Sequence, residues 1–184
     1  MSIQLKHTNN GRMLSISKDN KALRFMVPRG SIPYGFNEYV PPNGGNSSIS
    51  LEIALSDKSK IDEIRDIENQ VITQVADMSP EIFSKKMSVD EVRAIFNSNL
   101  KNDRLRLKHT RSTRIFDSNG EPMGASISNG DFRNAEAASS ATVNGVYFMN
   151  MKMGLVWYAD HIKIWPTEKS VGPDADLSDY AFRD

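Results

Sequence analysis

The sequence predicts a mainly β fold with a helical insertion, α+β in class, from three observations. Segments of period-two alternation occur in the first third of the chain and again in its second half. Between them, residues 57–100 switch to an apolar spacing of three and four. Strands and helices therefore come in runs, not interleaved one by one, which argues against a doubly wound parallel sheet.

Each element has its own warrant. Met13–Ser17 and Ala22–Val27 read as two strands joined by turn residues, with Leu23, Phe25 and Val27 on one face of the second. Ser31–Ser48 is rich in Pro and Gly and reads as a loop carrying Tyr34, Phe36 and Tyr39. Ile49, Leu51, Ile53 and Leu55 alternate with polar residues as in a half-buried strand. Ile61, Ile64, Ile67, Val71 and Val75 form the stripe of a helix capped by Asp57 or Ser59 and stopped before Pro80. Glu81–Lys86 reads as a short helical turn. Ser88-Val89-Asp90-Glu91 has the form of a capping box, opening a helix with Val92, Ile95, Phe96 and Leu100 on its apolar side.

The second half returns to strands. Arg104, Arg106 and Lys108 share one face and Leu105 and Leu107 the other. Arg114–Phe116 extends that strand, and Asp117-Ser118-Asn119-Gly120 is a turn. Ser126–Gly145 is short of large apolar residues and reads as a flexible loop, with Phe132 and Arg133 within it. Val146–Met151 and Leu155–Trp165 are the last strands, with Gly154 as a bulge or bend between them. In the final strand Val156, Tyr158, Ile162 and Ile164 are read on one face, and Trp157, Lys163 and Trp165 on the other. This order fits an OB-fold-like antiparallel β-barrel with a two-to-three-helix insert. A β-sandwich with a helical excursion is the alternative. Residues 1–170 are read as one domain and 171–184 as an acidic, flexible C-terminal tail.

Composition excludes several chemistries. With no cysteine there is no disulfide, zinc–thiolate site or cysteine nucleophile, and a reducing, intracellular setting is expected. His7, His109 and His161 are too scattered for a His-rich metal site. Phosphate-loop, dinucleotide, nucleophile-elbow and calcium-loop motifs are absent, so no catalytic residue, metal or cofactor is expected and the chain reads as a non-enzyme. No signal peptide or membrane span is visible.

The formal charge is zero but unevenly spread. Residues 101–114 hold six cations against Asp103, a local +5, and residues 171–184 hold four aspartates against Arg183, a local −3. Cations that track phosphates, together with aromatic faces that stack on bases, are what a single-stranded nucleic acid requires. Candidates for that role are Arg104, Arg106, Lys108, Arg111 and Arg114 on and after the basic strand. Tyr34, Phe36, Tyr39, Phe132 and Arg133 join them from the loops, and Lys152, Trp157, Lys163 and Trp165 from the last strand. In the tail, Asp174, Asp176, Asp179, Tyr180 and Phe182 are an acidic, aromatic partner-binding candidate.

The run Ser50-Leu51-Glu52-Ile53-Ala54-Leu55, followed by Ile64–Ala76, Ile82–Lys86, Ser88–Leu100, Arg104–Lys108 and Arg114–Asp117, resembles viral OB-fold single-stranded-DNA-binding proteins of phages and large DNA viruses. Gly154–Ile164 is similar to their last barrel strand, and the tail to their partner-recruiting tail, except that Arg183 and Asp184 follow Phe182. The likeness covers roughly residues 45–184. It implies sequence-independent binding of single-stranded DNA in viral replication or recombination, inside an infected host cell, in its cytoplasm, nucleoid or nucleus. It also implies replication proteins as partners of the tail. DNA against RNA preference and oligomeric state stay open, a homodimer included. The alternative function is that of a virion structural or protein-interaction protein.

Overall fold

Alternation sets the first strands. Leu14 and Ile16 are buried in β2 (Met13–Lys18), and Leu23, Phe25 and Val27 in β3 (Lys21–Ile32). Asp19 and Asn20, at φ 51° and 60°, make the two-residue turn between them, a left-handed conformation these two side chains tolerate. The computed structural model describes residues 3–8, 13–124 and 127–167. The expected tail at 171–184 lies outside the described residues.

The remaining elements are β1 (Gln4–His7), β4 (Phe36–Tyr39), β5 (Ser48–Ala54), α1 (Lys58–Asp77), α2 (Ser79–Phe83) and α3 (Val89–Ile95), then β6 (Leu100–Lys101), β7 (Arg104–His109), β8 (Arg114–Phe116), β9 (Ala135–Met149) and β10 (Lys152–Trp165). One sheet runs β1-β2-β3-β9-β10-β7-β5-β4, with β6 on β7 and β8 on β10. It is mixed: β7 and β8 both pair with β10 in parallel, because the chain from Arg104 to Phe116 runs alongside β10 in the same direction. The expected antiparallel barrel is corrected on both counts, since the hydrogen-bonded ladder also stays open. The sheet nevertheless curls until β3 meets β5. A Cβ on Gly30 would overlap the Ala54 carbonyl oxygen, so only glycine permits that approach.

The helical insert forms as its caps and stripe dictate. Asp57 accepts from Ser59 N at 2.9 Å, and Ile61, Ile64, Ile67, Val71 and Val75 are all buried. The Ser88–Glu91 capping box is closed in both directions, at 3.2 and 2.7 Å. The third helix is shorter than expected: Phe96 bridges Met153 and Leu100 belongs to β6. The edge of β1 is covered by α1, whose Gln70 and Gln74 side chains accept from Ile3 N and Leu5 N, each at 3.1 Å.

Two loop expectations and one strand expectation are corrected. Phe36–Tyr39 is a strand, held on one side by β5 and on the other by Asp131 O, which accepts from Phe36 N at 2.9 Å. Ala135–Gly145, expected as flexible loop, is part of the central strand β9. Its inward positions are small because their cross-strand neighbours are large: Ala135 faces Ile32, Ala137 faces Ile164 and Ala141 faces Phe25. Arg114–Phe116 is separate from β7, and Thr113 between them donates its hydroxyl to Ala159 O at 2.6 Å.

Candidate nucleic-acid interface

The outer face of the sheet collects the polar halves of the alternating strands. The registers define one continuous row across six neighbouring strands: Asn37, Ser50, Lys108, Tyr158, Thr142 and Arg24. At about 4.8 Å per strand this row is roughly 24 Å long. A second row holds Arg114, His161, Ser140 and Met26, and Phe116 and Lys163 are registered beside each other one step further. All these side chains are exposed or half-buried except Ser50, which is buried beneath Arg106.

The cations on this face differ in how far they are compensated. Arg104 lies 3.4 Å from Glu52 and over the Tyr34 ring at 5.3 Å. Arg106 donates from Nε to Ser50 Oγ at 3.2 Å and stands opposite Glu52 across the ladder. Among the described residues, Lys108, Arg111 and Arg114 pair with no carboxylate. At the far end of β10, Arg29 and Lys163 both lie over the Trp165 ring, at 4.4 and 5.3 Å from its centre, with Glu136 hydrogen-bonded to Arg29.

Two depressions flank β7. One, of about 310 Å³, has Tyr34, Tyr39, Glu52 and Arg106 in its walls, both tyrosines being exposed. The other, of about 680 Å³, lies beyond the end of β7, between His109, Arg111, Arg114 and the segment after β8. Burial holds the His109 imidazole below its ordinary pKa, so it is neutral at pH 7 and adds no charge there.

The structure brings together Tyr34, Tyr39, Arg104, Arg106, Lys108, Arg114, Lys163 and Trp165 on this face, with Arg111 at its margin. Three expected stacking residues are corrected. Phe36 is fully buried, edge-on to Phe132 and His109. Phe132, also buried, anchors the 127–134 segment instead of standing out from it. Trp157 is fully buried edge-on against Phe25, 5.6 Å between ring centres. The reason is a bulge between Ala159 and His161, where Asp160 is the extra residue and reverses the parity of the strand. Met153, Leu155, Trp157 and Ala159 face in before it, and Ile162 and Ile164 after it. Lys152 stands apart at the β9–β10 turn, and Arg133 in the segment beside β4. Sequence reading missed Arg24, Arg29, Phe116, Tyr158 and His161. Arg24 was recoverable, as it alternates with Leu23 and Phe25.

Among the described residues no group of His, Asp and Glu could hold a metal ion, and no helix is long and apolar enough to cross a membrane. A family of unknown function, DUF5871, matches residues 44–184. The chain belongs to that family. No curated protein matches it. Among solved structures, the chain is similar to gp2.5, a single-stranded DNA binding protein encoded by bacteriophage T7, with a TM-score of 0.53 and 12% identity over 89% of this chain and 97% of that one. The single-stranded DNA-binding protein from bacteriophage Enc34 aligns at a TM-score of 0.48 and 9% identity, over 98% and 99% of the two chains. Its complex with single-stranded DNA aligns at 0.49 and 8%, over 88% and 94%. The DUF5871 chain thus shares its fold with the T7 protein.

Proposed function

We propose that this DUF5871 chain binds single-stranded DNA without sequence preference and acts, without catalysing a reaction, in viral DNA replication or recombination. One observation carries the reading: the continuous outer face on which Lys108 and Arg24 share a row with Tyr158, flanked by Tyr34, Tyr39, Arg106, Arg114 and the Arg29–Trp165–Lys163 stack. A strand laid on it meets guanidinium and ammonium groups for its phosphates and ring faces for its bases. The fold it shares with a protein described as binding single-stranded DNA supports the same reading. The acidic tail with Tyr180 and Phe182 is assigned to replication partners, with DNA binding left to the body.

Titration with oligo-dT at two salt concentrations tests this. Affinity should fall steeply with salt as phosphate contacts release counterions. Lys108→Glu, at a cation with no carboxylate partner, should weaken binding and lower the log–log salt slope by about one. Full affinity and an unchanged slope in a folded Lys108→Glu protein would move the interface off this face.

A further inference from the structure

After β8 the chain folds back on itself. Met123 N donates to Ile115 O at 2.9 Å, and Phe116 forms a bridge with Pro122. The fold-back leaves the hollow of about 680 Å³, whose apolar lining is Ile115, Phe116, Pro122, Met123 and Ile127. Its volume lies in the ordinary range for a small-ligand site. Arg111 and Arg114 also line it, both exposed and, among the described residues, without carboxylate partners. The hollow is continuous with the outer face, because Arg114 is registered with His161, and Phe116 with Lys163.

We propose that this hollow seats one unstacked nucleobase of a bound single strand, with Arg111 and Arg114 holding the phosphates on either side of it. The proposal rests on the single-strand-binding reading and adds a base-holding position to it. Apolar and aromatic walls suit the faces of a base, and guanidinium forks suit phosphate oxygens. No lining side chain is an amide or a carboxylate, and the two guanidinium forks are taken up by the flanking phosphates, so no side chain is left for the bidentate edge contacts that tell bases apart. The Thr113 hydroxyl is already committed to Ala159 O. The hollow therefore takes any base, in keeping with binding that ignores sequence.

The experiment compares oligo-dT with a fully abasic strand of the same length, using the full chain and two variants that fill the hollow, Met123→Trp and Ile127→Trp. Loss of a base seat should weaken oligo-dT binding between about fivefold and a hundredfold, while affinity for the abasic strand stays the same. Two filling variants at different lining positions keep the test decisive if one fails to fold, as judged by its melting transition. Arg111→Ala should weaken both strands alike and reduce the salt slope. Folded filling variants that bind oligo-dT as the unaltered chain does would overturn the base seat and leave the interface standing. Equal weakening for both strands would overturn it too. An unaltered chain that binds neither strand would overturn the interface itself.

Discussion

Trp157 and Trp165 stand on the same strand in opposite environments, and the difference can be measured. Trp157 is fully buried with its Nε1 hydrogen unpartnered, a cost offset by burial of the ring against Phe25. Trp165 is half-buried on the outer face, with Arg29 and Lys163 over its ring. Oligo-dT should quench tryptophan emission through Trp165 alone. Quenching should survive Trp157→Phe and vanish in Trp165→Phe, and retained quenching in the latter would take Trp165 off the interface. Trp157→Ala should cost about 3–5 kcal/mol in urea unfolding. Period-two counting placed the two tryptophans together because it carries no sign of the Asp160 bulge, whose position depends on β9 as well as β10. Glu68 is a second residue that reports its surroundings. Burial raises its carboxyl above the ordinary 4.5, although Ser98 Oγ donates to it at 2.7 Å. With a folded-state pKa above the unfolded one, the folded state holds more protons between the two values. The stability Glu68 contributes is therefore complete below 4.5 and is lost as pH rises through the folded value. Glu68→Gln should flatten the urea midpoint across that window, and an unchanged pH profile would assign the dependence elsewhere.

At the scale of elements, the helical insert was the most legible part of the chain. Asp57, Ser88 and Glu91 are local signals that need no distant partner, and the isoleucine stripe of α1 is long enough to fix its period. The central strand β9 was the least legible. Its alanines and serines carry little intrinsic preference for a strand, and it is ordered by β3 and β10, which supply the large side chains opposite. The basic strand was read correctly, whereas the rows it shares with β10 and β3 depend on pairings the local pattern does not encode. The β9–β10 turn still shows strain. Asn150 and Met151 form a two-residue connection at φ 50° and 56°, and Met151 is 88% exposed. Asn tolerates the left-handed region and Met does not. Met151→Gly should therefore raise stability by about 1 kcal/mol, read as a higher urea midpoint at unchanged slope. A lower midpoint would show that backbone freedom gained in the unfolded chain outweighs the strain relieved.

At the scale of the whole molecule, a formal charge of zero conceals two opposed parts. Residues 171–184 carry four aspartates against one arginine, net −3, so the remainder of the chain is +3. A flexible acidic segment joined to the body would be held there at high effective concentration, and the prediction is that residues 171–184 compete with phosphates for cations such as Lys108 and Arg114 that no carboxylate of the described residues neutralises. The competition is between charges alone, so it should weaken as the Debye length falls from about 10 Å at 0.1 M salt to about 3 Å at 1 M. Removing residues 171–184 should tighten oligo-dT binding at low salt, leave it nearly unchanged at high salt, and make the salt slope steeper, since more counterions are then displaced by DNA alone. Fluorescence titration of the shortened and full chains at the two ionic strengths checks this. Equal affinities at low salt would show that the acidic segment does not compete for the outer face, and would leave partner recruitment as its assignment.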